Sequence, residues 1–272
     1  MPLYVVASPI GNMDEITLRA LQVLSEVDIV AAEDTRNTGL FLRRLNINAK
    51  LIAYHKFNEI SKQDFLLEKL KAGESIALIS DAGTPCISDP GYLLVKAAAD
   101  AGVEVIGISG ACAAILALSV SGFPAEPFLY LGFLPRKAGA IVEIMPDGHT
   151  AVFYESPKRI ASTMALMTEH FPDAQICLCN DLTKKFEKIY RGSPAEVLAE
   201  LAANPHSEKG EYTCVASIPP QLVQDENAPS IESQLIDVMV KTGCTVKEAI
   251  KKLDYPKNKV YAASLRLKEL LK

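Results

Sequence analysis

The 272-residue sequence contains no tryptophan, and no apolar run in it approaches the roughly 18 residues that a membrane span requires. The first residues, MPLYVVASPIGN, lack the basic segment and the long apolar run of a secretory signal peptide. The net charge is −5, which excludes a uniformly basic nucleic-acid-binding protein. These absences predict a cytoplasmic protein with no membrane segment.

Hydrophobic residues make up 49% of the chain, so the composition supports a folded core, and the length suits two domains. Charge is unevenly distributed, because residues 241–272 carry a net +6 and the preceding 240 residues carry −11. Of the six cysteines, Cys177 and Cys179 would share one face of a strand, but no further Cys or His cluster completes a metal site. We therefore expect no metal and buried free thiols.

The first 110 residues alternate between two kinds of pattern. Short apolar runs predict strands at 3–7, 28–32, 51–54, 75–79 and 103–108. Amphipathic segments predict helices at 15–26, 36–45, 59–72 and 90–101. This alternation predicts an α/β fold with a parallel sheet, in which ligands bind at the carboxyl ends of the strands.

A second α/β block follows, and we expect domain boundaries at 1–121 and 122–220. Its strands are predicted at 128–135, 150–155, 175–181 and 211–218, and its helices at 157–170 and 193–203. The Pro- and Asn-containing residues 221–229 are typical of a linker. Residues 230–272 predict a basic extension of three short helices, the last two arranged as a helix-turn-helix.

Three predicted strand ends carry loops of small residues. They are Ser8–Asn12, the twelve-residue loop Ser80–Gly91 and the run Ser109–Ala114. Small side chains let backbone groups contact a ligand directly, and a polar loop of this length between strand and helix is usually functional. The alternative for the long loop is a helix cap, with Ser88 or Asp89 capping a helix that begins at Pro90. No dinucleotide-binding or Walker motif accompanies these loops.

Charged clusters lie at further strand ends. Examples are Glu33-Asp34-Thr35-Arg36 after the second strand, His55 with Asn58-Glu59 after the third, Tyr154-Glu155-Ser156, and Asp181 to Lys184. Each of them alone is equally consistent with a helix cap or a solvated turn. Because several follow adjacent strands of the first block, we expect them to share one cleft.

Together, the segments VVASPIGN, AEDTR, ISDAGTPCISDPG, GFLPRK, FYESPKR and the DLTKKFE–RGS run resemble the ribosomal RNA small-subunit methyltransferase I family. That family belongs to the tetrapyrrole (corrin and porphyrin) methylases, and the resemblance covers about residues 1–218. It implies two α/β domains that enclose S-adenosylmethionine in the cleft between them. It also implies methylation of the 2′-hydroxyl of a cytidine in the decoding region of 16S rRNA, with the 30S subunit as partner and a homodimer as the assembly.

The resemblance further implies which residues bind S-adenosylmethionine. They are Pro9 in the first loop, Ala82, Gly83, Thr84 and Ile87 in the long loop, Cys112 and Ala113 at the next strand end, and Glu155 and Leu182 at the adenosine end. The chain departs from the family pattern at two of these places. Gly110 to Ala113 replaces a proline-containing turn, and Asn180-Asp181 replaces an Arg-Glu pair.

From position alone, we expect Glu33 and Asp34 to be candidate acceptors of the ribose proton and Arg36 to hold a phosphate. The basic extension is expected to bind RNA, or else to form dimer contacts. Two other functions are carried as alternatives. One is a methylase of a small tetrapyrrole, and the other is an RNA-binding protein that holds the cofactor without transferring methyl.

Overall fold

The computed structural model describes residues 1–220 and 230–253, together with Ala263, Arg266 and Leu267. The chain forms two compact units, Met1–Pro220 and Gln221–Lys272. The first unit contains two five-stranded sheets, and the second is helical where it is described.

The first sheet is entirely parallel, with strand order β3-β2-β4-β1-β5. Its strands are β1 (Leu3–Val6), β2 (Ile29–Ala32), β3 (Leu51–Ala53), β4 (Ile76–Ile79) and β5 (Val105–Ile108). Its helices are α1 (Leu18–Glu26), α2 (Thr35–Arg44), α3 (Glu59–Lys71) and α4 (Tyr92–Asp100). Every residue of the central strands β2 and β4 is buried, as is typical of a sheet covered on both faces.

Two separate apolar clusters cover this sheet. Leu66 of α3 and Leu94 of α4 pack on one face, and Leu24 of α1 and Leu42 of α2 pack on the other. The five strands and four helices predicted for this block are all present, and their alternation explains the parallel sheet.

The second sheet is mixed, with order β6-β7-β10-β8-β9. Its strands are β6 (Phe128–Phe133), β7 (Thr150–Glu155), β8 (Gln175–Asn180), β9 (Lys188–Gly192) and β10 (Tyr212–Ser217). Its helices are α6 (Ala138–Ile144), α7 (Ile160–His170) and α8 (Pro194–Ala203). Strands β6 and β7 are parallel, whereas β10 is antiparallel to both β7 and β8. The edge strand β9 and the short helix α6 were not predicted, because only Tyr190 of β9 and Ile141 of α6 are buried and neither segment shows a clear periodicity.

Helix α5 (Ala113–Ser121) follows the first sheet and packs against the second. Ala114 and Ala117 meet Val152, Cys177 and Val215 in one apolar cluster. Their small side chains let the helix approach β7, β8 and β10 closely. This packing sets the carboxyl ends of the first sheet beside the second sheet.

The cysteines are less buried than expected. All six are free, and Cys177, Cys179 and Cys214 lie in the core. Cys86, Cys112 and Cys244 are only half-buried, so the expectation that the thiols are generally buried is wrong for these three.

The helical unit contains α9 (Ile231–Thr242) and α10 (Val246–Lys252). Leu235 of α9 and Ala249 of α10 share one apolar cluster with Ala263. The predicted linker 221–229 and most of the predicted helix-turn-helix lie outside the described residues, and the domain boundaries stay predictions. Within the described part of the chain, no helix combines the length and the apolar character needed to span a membrane.

Candidate active site

A cleft of about 430 Å³ lies between the carboxyl edge of the first sheet and the second sheet. From the first sheet it is lined by Ile10, Glu33, Asp81 to Thr84, Ile87 to Asp89, Cys112 and Ala113. From the second sheet it is lined by Phe133, Tyr154 to Pro157 and Gly210 to Thr213. The ends of β6 and β7 and the start of antiparallel β10 fall at one edge, which explains why these segments meet here.

Backbone and side-chain hydrogen bonds fix the long loop after β4. Ser8 and Gly83 exchange two backbone hydrogen bonds, with N–O distances of 2.8 and 3.1 Å. The Thr84 hydroxyl donates to the Ala111 carbonyl at 3.0 Å, and the Ser88 and Tyr130 hydroxyls lie 2.7 Å apart. The loop is therefore tied to β1, to the end of β5 and to the second sheet.

The same loop has an unusual backbone. Cys86 and Ser88 both have left-handed conformations, with φ of 71° and 69°, and such residues concentrate at functional sites. Gly91 has φ of 135°, and a Cβ there would lie 2.7 Å from Leu78 Cδ2. Gly91 itself occupies the N-cap position of α4, which begins at Tyr92. The alternative in which Ser88 or Asp89 caps a helix that begins at Pro90 is therefore wrong.

Five carboxylates line the cleft, those of Glu33, Asp81 and Asp89 beside the first sheet and those of Glu155 and Glu211 beside the second. Burial raises the pKa of Asp89 to about 6, and the negative charge of Glu33 adds to this rise. Burial also raises the pKa of Glu33. Glu33 and Asp89 therefore hold a proton more tightly than an ordinary carboxyl, as a proton acceptor working near neutral pH requires.

Asp34 has a structural task beside the cleft. Its carboxylate accepts a hydrogen bond from the Arg36 backbone N–H at 2.8 Å and so caps α2. It also pairs with the Arg36 guanidinium at 2.6 Å. These hydrogen bonds hold the pKa of Asp34 well below its usual range, which makes it a weak base. Neither Asp34 nor Arg36 lines the cleft. The side chain of Arg36 is nevertheless exposed to solvent.

Glu155 at the end of β7 is 2% exposed. Its carboxylate accepts hydrogen bonds from the Ser156 backbone N–H at 2.7 Å and from the Thr163 hydroxyl at 2.9 Å. It also pairs with Arg159 at 3.2 Å. The carboxylate is thus occupied within the chain, and it shapes the turn at 156–157 that forms one wall of the cleft.

The cleft brings together most of the residues predicted to bind the cofactor. Ala82, Gly83, Thr84, Ile87, Cys112, Ala113 and Glu155 all line it, and so does the predicted catalytic residue Glu33. Pro9 instead lines a neighbouring cavity of about 220 Å³, which shares Ile10, Asp81 and Ala82 with the cleft. Leu182 is buried against Ile10 in the apolar cluster around α5, outside the cleft lining.

Asp81, Asp89 and Tyr154 line the cleft, although the sequence assigned none of them a catalytic or cofactor-binding role. The two aspartates belong to the long polar loop that the sequence marks as functional, so the loop composition was an available signal. Tyr154 accepts a hydrogen bond from the Ala114 backbone N–H at 3.3 Å, a contact between residues 40 positions apart. Nothing local in the sequence indicates that contact.

Comparison with known proteins gives the class of the chain. Residues 2–198 match the family of the Tetrapyrrole (Corrin/Porphyrin) Methylases. A solved structure of the uroporphyrin-III C-methyl transferase from Thermus thermophilus, complexed with S-adenyl homocysteine, superposes with a TM-score of 0.55. The two sequences are 16% identical, and the superposition covers 79% of this chain and 97% of the transferase. At this identity the likeness shows that the two proteins share a fold.

Two relatives narrow the class further. The ribosomal RNA small subunit methyltransferase I of Streptococcus pyogenes serotype M3 is 42% identical over 92% of this chain and 88% of its own. The protein of the same name from Vibrio cholerae serotype O1 is 46% identical over 77% of this chain and 74% of its own length. The chain therefore belongs, within the tetrapyrrole methylases, to the ribosomal RNA small subunit methyltransferase I family.

Proposed function

We propose that the chain transfers a methyl group from S-adenosylmethionine to the 2′-hydroxyl of a cytidine in the decoding region of 16S rRNA. The observation that carries this proposal is the 42% identity, over 92% of the chain, to a relative named as a ribosomal RNA small subunit methyltransferase I. The nucleotide, the ribose oxygen and the decoding region come from the resemblance of the loop motifs to that family.

The cleft suits S-adenosylmethionine, which supplies a methyl group on a positively charged sulfur. Ile10, Ile87 and Phe133 offer apolar surface for an adenine ring, and the small residues Ala82 and Gly83 leave backbone groups open to the ligand. The carboxylates that line the cleft attract a positive charge. Orienting the acceptor oxygen toward the methyl group alone supplies up to roughly 7–11 kcal/mol of the barrier reduction.

The ribose hydroxyl is a poor nucleophile, so a proton acceptor in the cleft speeds the reaction. Glu33 and Asp89 fit this role better than Asp34, because both line the cleft and have raised pKa values. Asp34 is committed to Arg36 and to capping α2. We assign the proton acceptor to the Glu33–Asp89 pair, with Asp89 as the group that takes the proton.

The pH dependence of kcat tests this assignment. In the wild-type chain, activity falls as the pH drops through about 6, because Asp89 becomes protonated. Asp89→Asn lowers kcat by about 10²–10⁴-fold and removes this acidic limb. Glu33→Gln moves the limb to lower pH, because the charge that raises the pKa of Asp89 is gone. Asp34→Asn serves as the control and leaves the limb in place. An unchanged profile in Asp89→Asn would contradict the assignment.

The reaction itself is tested with radiolabelled S-adenosylmethionine and 30S subunits that lack the modification. Label at a single 2′-hydroxyl in the decoding region, located by mapping the modified nucleotide, is the expected result. A porphyrinoid is added to a parallel reaction. Transfer of the radiolabel to the porphyrinoid and not to rRNA would favour the small-molecule methylase. Cofactor and rRNA binding without transfer would favour a non-catalytic RNA-binding protein.

The assembled 30S subunit and the homodimer rest on the resemblance alone. Comparing naked 16S rRNA with 30S subunits in the same assay decides the substrate form. Analytical ultracentrifugation of the full chain decides the assembly, for which a mass of twice 29.5 kDa is expected.

A further inference from the structure

A cluster of positive charge lies next to the cleft on the second sheet. We define the basic platform as Arg136, Lys137 and Lys158, whose side chains are all exposed. Arg136 and Lys137 follow the end of β6, and Lys158 follows the end of β7. Because β6 and β7 are parallel neighbours with Phe133 beside Tyr154, these residues emerge at one edge, the edge that also forms the cleft.

Arg159 holds the two loops of the platform together. Its guanidinium donates to the Leu134 carbonyl at 3.1 Å and to the Pro135 carbonyl at 2.7 Å. It also pairs with buried Glu155, so its charge is neutralised inside the chain. Arg136 and Arg159 line a common groove of about 380 Å³, in which Glu169 supplies the one carboxylate among the described lining residues. Arg159 therefore ties the backbone just before Arg136 to the segment that follows Lys158.

The three platform side chains make no ion pair or hydrogen bond with any residue that the structure describes. Two other cations of the same unit that lie near the cleft residues are paired, Arg36 with Asp34 and Lys184 with Asp181 and Glu211. Phe133, three residues before Arg136, lines the cleft and is 64% exposed. Its ring meets that of Tyr154 edge-on, with the ring centroids 5.5 Å apart. Free cations beside an exposed ring are the groups with which proteins hold single-stranded nucleic acid.

We propose that the basic platform binds the RNA phosphates that flank the target nucleotide and so directs that nucleotide past Phe133 into the cleft. The inference rests on the proposed function, because it requires an RNA substrate. It assigns to the acidic first unit an RNA contact of its own, in addition to the basic extension at 230–272. The charge of Arg136, Lys137 and Lys158 complements the phosphodiester backbone, and the platform residues follow Phe133 and Pro157, which line the cleft.

The test compares two triple variants of the full-length chain. Arg136→Ala/Lys137→Ala/Lys158→Ala removes the platform. Arg43→Ala/Arg44→Ala/Lys50→Ala removes three exposed charges at the end of α2 and just before β3, at the opposite edge of the first sheet. Affinity for naked 16S rRNA and for 30S subunits is measured by filter binding across a range of salt concentrations, and S-adenosylmethionine affinity by calorimetry.

The platform variant is expected to bind 16S rRNA at least about tenfold more weakly at low salt. The slope of log affinity against log salt concentration should become shallower by roughly 2–3. Its S-adenosylmethionine affinity should equal that of the wild type, and the control variant should keep the wild-type slope. An unchanged slope in the platform variant, or an equal loss in the control, overturns the proposal. So does a loss confined to 30S subunits, which would point to a ribosomal protein as the partner. If the wild-type chain binds S-adenosylmethionine but does not methylate rRNA, the proposed function itself fails.

Discussion

Replacing Glu155 by alanine is expected to lower the free energy of unfolding by about 3 kcal/mol. The substitution removes a buried carboxylate that accepts from the Ser156 N–H and the Thr163 hydroxyl and that pairs with Arg159. Thr163 is itself buried, so its hydroxyl is left without its partner. Arg159 keeps its bonds to the Leu134 and Pro135 carbonyls, which limits the loss.

Thermal unfolding of the full chain measures this effect, and a drop of roughly 6–12 °C in Tm corresponds to it. Glu155→Gln keeps the side-chain shape and one acceptor oxygen and is expected to lose less than half as much. Glu200→Ala, on the exposed face of α8, is the matched control and should change stability by less than about 0.5 kcal/mol. A Glu155→Ala protein as stable as this control would show that the buried network contributes nothing.

The same substitution separates two roles of Glu155. Ser156 and Pro157 line the cleft, so loss of the network should also weaken binding of S-adenosylmethionine. Glu155→Gln, which holds the turn better, should restore most of that affinity. If instead Glu155→Gln binds the cofactor as poorly as Glu155→Ala, the carboxylate contacts the cofactor directly, as the family resemblance implies.

The strands and helices of the first unit could be predicted largely from local pattern. Strands such as β4, with four buried residues, read as continuous apolar runs, and the intervening helices imply parallel pairing. The strand order depends on contacts between distant segments, which periodicity does not record. Strand β9 escaped prediction for a related reason, because an edge strand buries too few residues to show an alternating pattern.

The site was predictable where its signal is local. The small residues of the long loop indicated a ligand site, and the loop does line the cleft. The Asp34–Arg36 pair is also local, since an aspartate just before a helix is a common N-cap. The raised pKa of Asp89 is different, because it arises from burial and from Glu33, which is 56 positions away in the sequence. Only the folded chain brings these two groups together.

Deleting residues 230–272 is expected to weaken rRNA binding strongly while leaving S-adenosylmethionine affinity unchanged. Residues 241–272 carry a net +6 against −11 for the rest of the chain, so the deletion removes the largest local excess of positive charge. For six phosphate contacts on single-stranded RNA, the log–log salt slope should fall by roughly 4. Filter binding of 16S rRNA at several salt concentrations measures that slope.

A charge variant of the full-length chain distinguishes RNA binding from dimer contacts, the other role open to the extension. Six lysines, Lys247, Lys251, Lys252, Lys257, Lys259 and Lys268, are replaced by glutamine, which removes charge and preserves length. If the extension binds RNA, this variant loses the same salt slope as the deletion and keeps the wild-type mass in ultracentrifugation. If the extension joins two copies of the chain, only the deletion changes the mass and the charge variant binds RNA normally.

Combining the charge variant with the platform substitutions then decides whether the two surfaces act independently. Slopes that add mean that the extension and the platform contact separate phosphates of one RNA, which would explain how a chain with net charge −5 holds a polyanion.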